Sequence, residues 1–159
     1  MEEGESAMMV RILSILFFGT LFWQLFSFIF YSGLFVNYIE ANGIKVFFNQ
    51  FFVDSQIWWL WIVGIVLYGA VFMTENKTKE KAVLYLLSFM IAALPWVPDF
   101  GQQIGMALFA KPHASYKFGK VLIKDATILY EGRRYDYVKI PGRQMTLRYP
   151  KSNRIQGTL

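Results

Sequence analysis

The 159-residue sequence contains no cysteine and a single histidine, His113. The lack of cysteine excludes disulfides, thiolate metal sites and cysteine nucleophiles, and one histidine excludes a metal centre built from several imidazoles. No glycine-rich phosphate-binding loop, nucleophile elbow or metal-ligand spacing is present. From these absences we predict that the protein is not an enzyme and carries no cofactor.

Charge is also scarce. Charged residues make up 17% of the chain and hydrophobic residues 55%, whereas soluble proteins average about 25% and 45–50%. The apolar residues are concentrated in long runs, which is typical of membrane proteins. We therefore predict an α-helical integral membrane protein with two transmembrane helices, a third segment broken by prolines, and a small C-terminal antiparallel β meander.

The first apolar run follows a short acidic tail, residues 1–11. We predict an uncleaved transmembrane helix over residues 12–31, because about 20 apolar residues cross the hydrocarbon core. Its polar side chains lie at helical spacing on one face, and such a stripe usually bonds to a neighbouring helix rather than lining a pore. We predict helix packing for Thr20, Gln24 and Ser27.

A second transmembrane helix is predicted over residues 57–74, after an amphipathic segment at residues 44–53 that is expected to lie in the membrane interface. Gly64 in this helix would permit close approach of another helix. Tryptophans cluster where the helix begins, as the aromatic belt of a membrane boundary predicts. These interface anchors are Trp58, Trp59 and Trp61.

The third segment, residues 82–110, is interrupted by Pro95 and Pro98, which disfavour a regular helix. It either crosses the membrane or forms a re-entrant hairpin, which is tolerated where its freed backbone groups are buried in protein. Asp99 follows the break and is expected near a surface. Asp99 and His113 together could perform acid–base chemistry, but a pair without a third member is weak evidence.

Lysines suggest an orientation. Lys77, Lys79 and Lys81 lie in the loop after the second helix, and the positive-inside rule assigns such a loop to the cytoplasm. The N-terminus is then on the cytoplasmic side. The membrane that the protein crosses is expected to be the inner or plasma membrane. A re-entrant third segment returns the basic tail to the cytoplasm, which the rule favours, whereas a third crossing places the tail outside.

The tail domain, residues 112–159, changes character. Residues 111–159 hold eleven Lys or Arg and three acids. We predict strands at residues 120–124, 127–130, 134–140 and 144–149. The following basic residues are predicted to bind a partner or lipid: Arg133, Arg134, Lys139, Arg143, Arg148, Lys151 and Arg154. Anionic lipid attracts such residues, whereas no RNP, KH or zinc motif supports nucleic-acid binding.

Together these features divide the chain into an acidic tail, a membrane domain over residues 12–111, and the basic tail domain. We predict a non-enzymatic accessory or structural subunit of a larger membrane complex. Its expected partners are other integral membrane subunits and anionic lipid, and a homo-oligomer is also compatible. The alternative function is a small oligomeric channel or passive transport element, with the proline-broken segment lining its path.

Overall fold

The computed structural model describes residues 2–75, 77–118, 121–142 and 145–155. Helices dominate, and a four-stranded antiparallel sheet lies towards the C-terminus. Contacts divide the chain into two compact units. Unit 1 comprises Met1–Ser32 and Phe52–Leu94, and unit 2 comprises Gly33–Phe51 and Pro95–Leu159.

The helices are α1 (Glu2–Leu34), α2 (Phe48–Asp54), α3 (Trp58–Met73), α4 (Thr78–Ala93) and α5 (Pro98–Phe109). A π-helical segment, Phe35–Glu40, continues α1, and a 3₁₀ turn, Leu94–Trp96, continues α4. The residues predicted as a separate acidic tail therefore belong to α1 from Glu2 onward. A second 3₁₀ turn, Lys151–Asn153, follows the last strand.

One helical stretch, Glu5–Glu40, is long and apolar enough to cross a membrane. The second predicted transmembrane helix is not confirmed, because α3 has 16 residues and extends about 24 Å, against about 30 Å of hydrocarbon. Up to three crossings result if each bent helix pair counts as one span. These pairs are α2 with α3, bent by 84°, and Thr78–Trp96 with α5, bent by 91°.

In unit 1, glycines allow α1 and α3 to approach closely. A Cβ at Gly19 would collide with the carbonyl oxygen of Ile65, and a Cβ at Gly69 would collide with that of Ile15. Such backbone-to-backbone approach is the role of small residues in membrane helices. Stacked rings fill the neighbouring space, including Phe18 on Phe72, with ring centroids 4.1 Å apart.

The outer surfaces of the unit 1 helices remain apolar. Leu21 and Leu25 of α1, Val66 of α3 and Leu86 of α4 are all about half exposed. In water such surfaces would be costly, whereas lipid or partner helices would cover them. This apolar exterior is compatible with a membrane protein.

In unit 2, the strands β1 (Lys111–Phe118), β2 (Val121–Glu131), β3 (Tyr135–Lys139) and β4 (Leu147–Pro150) pair in sequence order. The antiparallel meander is confirmed, but its first half differs from the prediction. The predicted strand at residues 127–130 and residues 121–124 of the one before it fall within the single strand β2, and residue 120 lies outside the described residues. β1 was not predicted, because its sequence KPHASYKF has few β-branched residues.

One buried face forms the core of the sheet. Tyr116, Ile128 and Val138 from three adjacent strands are fully buried, with Ala114 and Ala126 beside them. Pairing β1 with β2 brings these side chains to the same face. Burial of Tyr116 therefore requires the strand that local propensity does not predict.

The chain after α1 is hydrogen-bonded into unit 2. The Asn37 amide donates to the carbonyl oxygen of Pro95 at 2.9 Å, and the Gln102 amide donates to that of Asn37 at 2.7 Å. The Tyr38 hydroxyl donates to the carbonyl oxygen of Leu129 at 2.8 Å. Unit 2 thus includes residues 33–51 and 95–110, which the sequence assigned to a membrane domain.

Candidate anion-binding site

A cleft of about 360 Å³ opens in unit 2. We call it the basic cleft, and its lining includes Lys45, Phe47, Arg133, Arg134, Tyr135 and Arg148. Among the described residues that line it, none is acidic. A second cavity of about 330 Å³ also contacts Lys45 and Arg148. These two side chains therefore lie where the cavities meet.

The backbone at Lys45 is held against the sheet by two hydroxyl groups. The Tyr137 hydroxyl donates to the carbonyl oxygen of Lys45, and the Thr146 hydroxyl donates to that of Asn42, each at 2.5 Å. Between them, Gly43 adopts φ of +67°, which glycine tolerates without steric cost. The loop is therefore fixed before any ligand arrives.

The arginines come from two neighbouring elements. Arg133 and Arg134 lie in the β2–β3 turn, which is closed by a hydrogen bond from the Gly132 N–H to the Tyr135 carbonyl at 2.9 Å. Arg148 lies on β4, where its guanidinium carbon stands 4.3 Å from the centre of the Tyr135 ring. This cation–π contact orients a planar donor group at the wall of the cleft.

Three cations of the cleft suit an anionic ligand, because no carboxylate among the described residues lies within 4 Å of the side chains of Lys45, Arg134 or Arg148. Guanidinium groups donate two parallel hydrogen bonds to phosphate or carboxylate oxygens, and lysine adds a point charge. Among the described residues, no group of three His, Cys, Asp or Glu side chains could hold a metal. The cleft is therefore a candidate site for a negatively charged group.

A second group of charged residues forms a hydrogen-bonded and ion-paired network within the sheet. Asp136 is fully buried and accepts a hydrogen bond from the Tyr116 hydroxyl at 2.9 Å. Arg154, predicted to bind a partner, instead pairs with Glu131, which also accepts from Lys111 at 2.5 Å. This network ties the end of the described chain to the strands.

The network shifts the pKa values of its members in opposite directions. Burial raises the pKa of Asp136, although the Tyr116 hydrogen bond partly counters it. Burial also raises the pKa of Glu131, but hydrogen bonds from Lys111 and Arg154 outweigh burial and hold that pKa below its usual value. Burial together with Asp136 raises the pKa of Tyr116. The two carboxyl groups therefore respond differently to pH.

Two other predicted basic residues do not line the cleft. Lys139 is exposed at the end of β3, and Lys151 is exposed in the 3₁₀ turn after β4. Arg143 lies outside the described residues. The geometry thus selects Arg133, Arg134 and Arg148 from the predicted set and adds Lys45, about 90 residues earlier in the chain.

The predicted helix-packing residues lie in unit 1. Ser27 is buried, Thr20 is half-buried, and Gly64 faces the ring of Trp23. Gln24 is exposed and accepts a hydrogen bond of 3.5 Å from the Trp61 indole. The other predicted anchors, Trp58 and Trp59, begin α3 and are exposed.

At the proline break, Pro95 is buried, and Pro98 opens α5 with exposed Asp99 in its first turn. His113 does not join Asp99. Its Nδ1 lies 2.7 Å from a carboxylate oxygen of Asp125, and both groups are exposed. His113 and Asp125 both have a positive φ near 60°. Asp99 and His113 are therefore not assembled as an acid–base pair.

Sequence reasoning did not link Lys45 and Phe47 with the arginines. Lys45 is a lone cation in an apolar, aromatic segment, which predicts an interfacial helix and nothing more. Only its hydrogen-bonded contact with β3 brings it to the arginines. No local sequence signal encodes a contact between residues 92 positions apart.

Comparisons with protein-family models, curated proteins and solved structures find no match to this chain.

Proposed function

We propose that the protein is a non-enzymatic accessory subunit of a larger membrane assembly. Its helices anchor it beside partner helices, and its sheet unit docks on an anionic group at the membrane surface. The basic cleft is the observation that carries this proposal, because it joins a segment next to the candidate span with the cationic strands. The membrane concerned is the cytoplasmic one, inner or plasma.

This proposal places the docking surface, which is the sheet with its basic cleft, on one side of the membrane. If Glu5–Glu40 crosses, the residues that follow it emerge on the side where α1 ends. Tyr38 and Lys45 of that segment bond to strands β2 and β3, so the sheet lies on that side too. The same contacts support a third crossing, which places the basic tail outside the cytoplasm. They oppose the re-entrant topology with a cytoplasmic tail, which the distribution of charge alone favoured.

In this proposal, the loop that follows α3 and carries Lys77, Lys79 and Lys81 lies on the other side of the membrane from the sheet. In unit 1, Met73 and Thr74 at the end of α3 line a cavity with Ala7 and Arg11 near the start of α1. By the positive-inside rule this end is cytoplasmic. The sheet is then extracytoplasmic, and the three crossings are α1, the bent pair that contains α3 and the bent pair that contains α4.

The outward apolar face of α1 supports packing against other subunits. Leu16, Leu21 and Leu25 line an open groove, with the polar side chains of Thr20 and Gln24 among them. Polar groups on such faces commonly hydrogen-bond across helices. The channel alternative has less support, because Pro95 is buried and its carbonyl already accepts a bond from Asn37.

A photocrosslinking amino acid placed at Leu21 in native membranes tests the subunit proposal. We expect one defined crosslinked product with a different membrane protein. The same group at buried Phe26 is the matched control and should give none. A product containing only this chain, together with ion conduction by the purified protein in liposomes, would favour the channel.

Single cysteines test the topology cleanly, because the chain has none of its own. We expect Lys79→Cys and Lys117→Cys, both at exposed positions, to react with an impermeant maleimide from opposite sides of sealed vesicles. Reaction of both from one side would instead support the re-entrant topology and a cytoplasmic tail.

A further inference from the structure

We infer that the basic cleft binds the phosphate-bearing headgroup of an anionic membrane lipid. This rests on the proposed docking function and names its ligand. The lining of the cleft is chemically two-sided, with Arg134 and Arg148 contributing charge and Val46 and Phe47 contributing apolar surface. Phe47 is 80% exposed. A lipid presents the same combination, since its phosphate adjoins its acyl chains.

The cations are suited to a phosphate. Within the described part of the chain, no carboxylate lies within 4 Å of the side chains of Lys45, Arg134 or Arg148. The Arg148 guanidinium rests on the Tyr135 ring, so its donors are oriented before a ligand arrives. An Arg pair with a Lys matches the several oxygens of a phosphate.

Chain position favours lipid over an acidic protein. Lys45 lies five residues beyond Glu40, where the helical stretch that contains the candidate span ends, so it can reach no further than about 18 Å from that point. Only residues 41–57 separate this stretch from α3. The cleft is therefore tethered to the end of this helix, and basic residues held beside a membrane gain free energy from anionic lipid.

The volume also fits a headgroup. At about 360 Å³, the basic cleft lies in the range of small-ligand sites, about 300–1,000 Å³. The acyl chains would remain outside the cleft, along Phe47.

Native mass spectrometry of the full chain in mild detergent tests the inference. Phosphatidylglycerol and phosphatidylcholine with identical acyl chains are titrated separately. We expect one tightly retained phosphatidylglycerol, and weakening on the order of 100-fold when Lys45, Arg134 and Arg148 are all replaced by Gln, since each basic residue contributes about fivefold.

The matched control removes the same charge elsewhere, with Lys79, Lys117 and Lys139, all exposed, replaced by Gln. It should retain wild-type lipid affinity. Equal weakening in both triple variants would overturn the site, leaving only a general charge effect. Circular dichroism and the unfolding midpoint of each variant establish that its fold is retained.

Two further ligands distinguish the alternatives. If a soluble polyglutamate peptide binds at the cleft while phosphatidylglycerol does not, the ligand is an acidic protein. The lipid inference then fails, and the proposed docking function stands. If inorganic phosphate binds as tightly as the lipid, the acyl-chain contact at Phe47 is wrong. Crosslinking from Leu21 reports on the subunit proposal independently of all these outcomes.

A second test measures, in nanodiscs, how deeply the side chain at position 47 enters the lipid bilayer. Phe47→Cys carrying an environment-sensitive fluorophore should report an apolar environment and be quenched by bromine-labelled acyl chains. Lys117→Cys with the same fluorophore should report water. Identical emission from both sites would overturn the placement of the cleft at the headgroup layer.

Discussion

Units 1 and 2 reach stability by different means. In unit 1, helix backbones approach at Gly19 and Gly69, and stacked rings fill the space around them. In unit 2, side chains such as those of Asn37 and Tyr38 donate to backbone carbonyls far away in sequence. Unit 1 thus depends on close packing, and unit 2 on long-range hydrogen bonds.

The difference reflects the local structure of each unit. Where apolar helices lie side by side, small residues let their backbones approach and make van der Waals contact. Where the backbone is irregular, it must find partners, because a buried carbonyl without a donor is costly. The proline break at Pro95 shows this need, since its carbonyl is satisfied by Asn37.

The largest expected effect tests close packing in unit 1. Gly69→Leu would force a side chain into the carbonyl of Ile15, and we expect a loss of about 3 kcal/mol in unfolding free energy. The neighbouring control, Ala70→Leu, introduces the same final side chain at an exposed position. Unfolding in mixed micelles measures both, and equal losses would disprove the glycine contact.

A smaller effect is expected from a single hydroxyl in unit 2. Tyr38→Phe removes the donor to the Leu129 carbonyl and should cost about 2 kcal/mol. Tyr135→Phe is the control, because it removes a hydroxyl from a partly exposed ring while keeping the ring. Amide exchange should accelerate in β2 for Tyr38→Phe only; unchanged exchange would mean that the bond contributes nothing.

The smallest effects concern pH and the two carboxyl groups. The pKa of Glu131 is held below its ordinary 4.5, so its stabilising contribution is present above pH 4.5 and lost as pH falls through the folded value. The pKa of Asp136 is raised above 3.8, so its contribution is present below pH 3.8 and lost as pH rises through the folded value.

Two isosteric variants separate these contributions. Relative to Glu131→Gln, the wild type should lose stability as pH falls from 6 to 3. Relative to Asp136→Asn, it should gain stability over the same interval. Unfolding free energies at both pH values measure each difference. Parallel trends in the two comparisons would contradict the opposite pKa shifts.

Prediction from sequence succeeded where a pattern is local. The apolar run over residues 12–31 predicted a helix that the structure extends to Glu2–Leu34, and the β-rich tail predicted an antiparallel meander. It failed at β1, whose sequence lacks strand propensity. The pairing of β1 with β2, and burial of Tyr116 in the core, override that propensity.

The candidate site was only partly predictable. Charge counting singled out the arginines of the tail, because a basic cluster needs no three-dimensional information. It could not separate Arg148, at the cleft, from Arg154, which neutralises Glu131. That distinction depends on which side chains become neighbours after folding.

The sequence by itself therefore determined the apolar helices, the basic tail and the break at Pro95 and Pro98, because run length, charge and proline act locally. Tertiary structure alone decided that the chain following α1 joins the sheet, and hence that Lys45 meets Arg148 at one cleft. The reason is physical. The hydrogen bonds that make this connection link residues about 90 positions apart, and such pairings form only when the whole of unit 2 has folded.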